Sequence, residues 1–136
     1  MLAWWEFTQR YPEQTKNCRT VVKLMFDCSR IKSSQFRQNE CKDPYCEKCD
    51  QHAVEDVEHI MFYCPANSKN RGLLWERLRS VCPRSMYEDI VNMHICDRTV
   101  FLLGGLGNAY VEEWAEIYSV IVDYICKVYM DHTSNS

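Results

Sequence analysis

The sequence predicts a mainly α domain: a small helical unit built around one cysteine–histidine (CCHC) knuckle, with little or no sheet. Three observations predict it. Apolar residues recur at three- and four-residue spacing in several stretches. A compact set of cysteines and histidines falls between Cys46 and Cys64. The 136 residues, 46% hydrophobic and 26% charged, allow one packed core and argue against general disorder. One domain is expected, in four parts: an N-terminal aromatic segment and helix at 1–40, the knuckle at 41–66, C-terminal helices at 67–130 and a disordered tail at 131–136.

Along the chain, Leu2 to Tyr11 is rich in aromatics (Trp4, Trp5, Phe7 and Tyr11) until Pro12 interrupts it. From Thr15 the spacing turns helical, with Val21, Val22, Met25 and Cys28 as one apolar stripe. Residues 33–45 are polar, contain Asp43-Pro44, and read as loop. A second helix is predicted from Lys69 to Val81, where Leu74, Leu78 and Val81 share a face and Pro83 stops it. A short helix follows from Ser85 to Val91, with Ser85 as N-cap and Glu88 three residues on. Thr99 to Leu103 is a short apolar run leading into a Gly104–Gly107 loop. The last helix is the clearest. Val111, Trp114, Ala115, Tyr118, Ile121, Val122, Ile125 and Val128 repeat over about five turns. Asn108 is its expected cap, and Glu112, Glu113 and Glu116 suit the positive end of its dipole. The tail from Asp131 should fray.

Composition excludes several classes. The chain is too short for a polymerase, a kinase or a TIM barrel, and four glycines with four prolines exclude collagen-like and low-complexity sequence. The net charge of −3 argues against a chain that coats nucleic acid along its whole surface, but not against a local basic face. Charge is partitioned: residues 1–40 carry net +3, 41–64 net −4, 65–98 net +2 and 99–136 net −4. Nine cysteines cannot all pair, and no basic, then apolar, leader opens the chain. The expectation is therefore an intracellular protein of a reducing compartment, nucleus or cytoplasm, and not a secreted one. The most apolar stretch, Ile117 to Cys126, is short and broken by Asp123, so no membrane partner is expected.

The chemistry sits in Cys46-Glu47-Lys48-Cys49, then nine residues, His59, four residues and Cys64. A C-x-x-C turn places two thiolates on one cation, and a His and a Cys from a following short helix close a tetrahedron. That donor set suits Zn²⁺, with Zn–S about 2.3 Å and Zn–N about 2.0 Å. Four protein ligands leave no open position, so the zinc would be structural and not hydrolytic. Glu55-Asp56-Val57-Glu58 supplies acids for the helix start, and Val57, Ile60 and Met61 an apolar face. The alternative is four ordinary residues with buried thiols. His52 is the rival histidine, but it lies three residues after Cys49, inside the turn. Cys41, five residues before Cys46, is read as a non-ligand.

The stretch resembles the C-terminal zinc-knuckle (zf-RVT type) region of non-LTR retrotransposon reverse transcriptases. Asp43-Pro44-Tyr45-Cys46-Glu47-Lys48-Cys49 matches the opening of that pattern, and Glu55 to Pro65, with His59 and Cys64-Pro65, matches its second half. Ser34 to Asn39, Leu102-Leu103-Gly104-Gly105 and the final helix also look like such tails. The resemblance spans roughly 17–130, with its specific core at 43–65. It implies that Cys46, Cys49, His59 and Cys64 are metal ligands, and that the module handles single-stranded RNA or DNA. Candidate phosphate contacts are Arg30, Lys32 and Arg37 before the knuckle and Lys69 and Arg71 after it, with Arg19, Lys23, Arg77, Arg79 and Arg84 as outer members. Tyr45 or Tyr63 could stack on a base. The plain alternative is a solvated basic face, with the tryptophans in the core.

The family's polymerase uses paired aspartates. No Asp-Asp dipeptide occurs in this sequence, so the expectation is a detached C-terminal remnant that is not an enzyme. The competing reading is a zinc-stabilised protein-interaction module, whose apolar helices would pack on a polymerase body or a second copy. A deaminase signature is absent, because no H-x-E precedes the Cys pair. The Gly104–Gly107 run lacks the Gly-Lys-Ser/Thr of a P-loop. Cys82, His94 and Cys96 lack knuckle spacing for a second metal site.

Overall fold

The computed structural model describes residues 2–108 and 111–133, apart from the side chains at 2, 107–108 and 111–113. The elements run α1 (Leu2–Arg10), α2 (Thr15–Met25), α3 (Lys32–Arg37), a π turn at His59–Tyr63, α4 (Ser68–Val81), α5 (Arg84–Asn92), α6 (Ile95–Leu103), α7 (Gly105–Asn108) and α8 (Val111–Thr133). The mainly α expectation is met. Among the described residues the one β pairing is an isolated bridge between Tyr45 and Val54.

Helix α8 organises the rest, because its apolar residues leave little of its surface polar. Ile117, Tyr118, Ile121, Val122, Tyr124, Ile125, Val128 and Tyr129 are all buried. The helices α1, α2 and α4 and the π turn pack on it. It kinks at Trp114 (φ −121°, ψ 28°). Two tyrosines fix its depth: Tyr118 OH donates to Gly105 O at 2.8 Å, and Tyr124 OH donates to Met61 O. At one end, Trp4, Phe7 and Tyr118 form an aromatic knot, Trp4 edge-on to Tyr118 at 5.4 Å and Phe7 stacked on it at 5.8 Å. Trp4 Nε1 donates to Leu103 O at 2.6 Å, so the indole is buried without an unpaired donor. The backbone beneath this knot takes φ +70° at Gly105, where a Cβ would come within 2.9 Å of Ala3 Cβ. Glycine is the residue that fits.

Several sequence expectations are corrected here. The buried stripe of α2 is Cys18, Val21 and Leu24, while Val22 and Met25 are half-buried and Cys28 is exposed. The cause is the end of the helix at Met25: Asp27 adopts φ 57° and turns the chain. Residues 33–45 are not all loop, because α3 occupies 32–37. The N-cap of α5 is Pro83 and not Ser85. The Thr99–Leu103 run belongs to α6, and Gly105–Asn108 is a helical turn and not a loop. Trp5 is 65% exposed and so is not in the core. Asp131, His132 and Thr133 continue α8 in place of the expected fraying. Asn70 Nδ2 donates to Asp131 Oδ2 at 3.2 Å, and His132 is buried. Residues 134–136, and the side chains of Asn108, Glu112 and Glu113 assigned to the last helix start, lie outside the described residues.

Candidate metal centre

The C-x-x-C turn is held as a small hairpin. Cys46 N–H donates to Ala53 O and Glu55 N–H to Pro44 O, both at 2.8 Å, on either side of the Tyr45–Val54 bridge. Lys48 N–H points at Cys46 Sγ from 3.4 Å, as an amide in a thiolate-binding knuckle does. The second pair sits on the π turn. Asp56 starts it by accepting His59 N–H at 2.8 Å, and Cys64 N–H closes it onto His59 O at 2.7 Å, a five-residue bond. In a regular α-helix, five residues make roughly 1.4 turns and would splay His59 and Cys64 apart. The wider turn brings them back to one side. Pro65 cannot continue the ladder, and Arg71 Nη2 fixes the exit by donating to Cys64 O at 2.7 Å.

These elements bring Cys46, Cys49, His59 and Cys64 together, with all four donor atoms within 4.8 Å of one another. Cys46 Sγ and Cys64 Sγ are 3.9 Å apart, and Cys49 Sγ and His59 Nε2 are 3.5 Å apart. Tetrahedral zinc bonds require about 3.8 Å between two sulfurs and about 3.6 Å between sulfur and nitrogen. The donors thus have the spacing of a metal cage, and the sulfurs are far outside disulfide length. Burial pushes the Cys46 and Cys64 thiols up and His59 down. Burial thus favours the neutral imidazole that a metal ligand needs, and an incoming cation would displace thiol protons.

The rejected donors have other partners. His52, at φ 54°, stacks on Tyr45 with ring centroids 4.0 Å apart. Cys41 Sγ faces the carbonyls of Asp43 and Lys32 at 3.2 and 3.6 Å. His94 Nδ1 accepts Cys96 N–H at 3.2 Å and caps α6. Burial pushes Cys18 up to about 12 and Cys82 and Cys126 to about 11, which disfavours their thiolates.

Two residues that the sequence did not point to as donors lie against the cage: Glu55, expected only as an acid at a helix start, and His132. The Glu55 carboxylate is 2% exposed, accepts Lys32 N–H at 2.8 Å, and so caps α3 from 23 residues away. His132 Nε2 lies 3.4 Å from Cys64 Sγ. Its sequence signal was the i, i+4 step from Val128 on the buried face of α8.

The five basic candidates separate in the structure. Lys32 Nζ pairs with Glu47 and Asp43 at 3.1 and 3.5 Å, Arg37 grips Asp27 with two nitrogens, and Arg71 is half-buried on the Cys64 carbonyl. Arg30 and Lys69 are exposed. Tyr63, beside the cage, is 52% exposed, whereas Tyr45 is half-buried.

No described helix is long and apolar enough to cross a membrane. Compared with protein families, curated proteins and solved structures, the chain matches none.

Proposed function

We propose that the chain is a zinc-stapled nucleic-acid-binding module, a remnant of the kind that closes non-LTR retrotransposon reverse transcriptases, with no polymerase chemistry of its own. The observation that carries it is the convergence of Cys46, Cys49, His59 and Cys64 at tetrahedral donor spacing within a C-x2-C-x9-H-x4-C-P pattern. Zn²⁺ fits because the donor set is three sulfurs and one imidazole, and the ion's role is to fasten the hairpin to the π turn. Arg30 and Lys69 supply exposed charge on either side of the knuckle in sequence, and Tyr63 an exposed ring next to a ligand.

Binding of this type is weak and salt-sensitive, because few phosphates are neutralised. A polarisation titration of the zinc-loaded chain against single-stranded RNA, at about 50 and about 200 mM salt, is the test. Tighter binding at the lower salt, weakened in Arg30→Ala and Lys69→Ala, is expected. Binding that is absent or indifferent to salt would refute the nucleic-acid role.

A second reading rests on a separate observation. An apolar groove of about 680 Å³ between α1 and α2 is lined by Trp5, Thr8, Val22 and the buried Cys18, together with Arg19 and Lys23. It suits a protein partner with an acidic, amphipathic helix. Retention of such a peptide by the wild type but not by Trp5→Ala would favour this reading.

A further inference from the structure

The cage leaves nearby donors unused. Cys46, Glu55 and His132 form a second donor group, each atom within 4.8 Å of the others and all three residues buried. His132 Nε2 also lies 3.4 Å from Cys64 Sγ. Both added side chains are oriented as ligands usually are. With its hydrogen on Nδ1, 3.1 Å from Val128 O, His132 leaves the Nε2 lone pair facing the sulfurs. Asn67 Nδ2, 3.2 Å from the same nitrogen, donates to Ile60 O. Glu55 uses one oxygen for Lys32 N–H, and its carboxylate lies within 4.8 Å of Cys46 Sγ.

We propose that a second divalent ion binds here, held by Glu55 and His132 and sharing the Cys46 thiolate with the first ion. The inference rests on the first site being metal-bound. Its force comes from geometry: a sulfur, an imidazole nitrogen and a carboxylate oxygen, all on buried residues, converge within 4.8 Å of one another beside the first cage. The mixed sulfur, nitrogen and oxygen set suits Zn²⁺. A polar cavity of about 120 Å³, lined by Glu55 and His132 together with Arg30, Lys32 and Lys48, gives access and room for a water on the remaining position. Lys32 is already paired with Asp43 and Glu47.

Native mass spectrometry of the reduced full chain titrated with Zn²⁺ tests this. The expected count is two ions in the wild type and one in Glu55→Gln and in His132→Gln. Glutamine at 55 keeps an acceptor for the Lys32 amide, so α3 stays capped. A cadmium-113 spectrum of the loaded wild type gives a readout that does not depend on the variants folding. Two resonances are expected, the second displaced from the thiolate-rich position by nitrogen and oxygen donors. A single ion in the wild type, a second ion that persists in both variants, or a single cadmium resonance overturns the proposal. A wild type that binds no ion removes the first site too, so the two failures are told apart.

Discussion

At the scale of single residues, the cage donors differ from the thiols around them in geometry more than in burial. Cys18 is as hidden as Cys46 or Cys64, yet among the described residues it belongs to no converging group of donors. Substitution should therefore separate them. Cys46→Ser or His59→Ala is expected to lower zinc content and blunt cooperative unfolding, whereas Cys18→Ala should leave zinc content unchanged, as metal analysis of the three proteins would show. Asp27 offers a different test. The Arg37 guanidinium, with Ser34, holds its carboxyl below its ordinary value. A lowered folded value means stability that is present above the unfolded value of about 3.9 and lost as pH falls through the folded one. The pair is well exposed, so its worth is at most about 1 kcal/mol. Asp27→Asn should unfold slightly more easily at neutral pH, and the gap to wild type should close below about pH 4 in acid denaturation.

At the scale of elements, α3 and the α7 turn depend on contacts that local sequence does not contain. The cap of α3 is Glu55, and Glu55→Ala should cost about 1–2 kcal/mol in urea unfolding, where a surface glutamate would cost almost nothing. Gly105→Ala meets both a positive φ and the Ala3 side chain, and a loss of more than about 1 kcal/mol is expected in the same measurement. This is also where legibility ends. Helices α2, α4 and α8 were readable because each buries a stripe at helical spacing. The cage residues were readable because a C-x-x-C turn and an H-x4-C pair are local patterns. Helix α3 was not, since Ser33-Ser34-Gln35 carries no apolar stripe and its cap lies 23 residues downstream. The burial of Trp4 beside the exposure of Trp5 depends on which face of α1 meets Tyr118, and adjacent aromatics do not reveal that. His132 was hidden by its place in a polar C-terminal run, although its spacing from Val128 continues the buried face of α8.

At the scale of the whole molecule, the knuckle is tied to the far end of the chain. Tyr124 reaches Met61 on the π turn, Asn67 reaches His132, and His132 reaches Cys64. A structural zinc contributes on the order of 10 kcal/mol in small peptides, comparable with the entire stability of a domain this size. Loss of the ion should then not be confined to residues 46–64. Chelation under reducing conditions is expected to lower the melting temperature of the α8 signal together with that of the knuckle, as one transition in circular dichroism. Separate transitions would mean that the helices stand without the cage.

Metal analysis of the chain purified under reducing conditions bears most directly on all of this. At least one zinc per chain is expected, with a clear fall when Cys49 or His59 is replaced by alanine. A metal-free chain that still unfolds cooperatively would contradict the account.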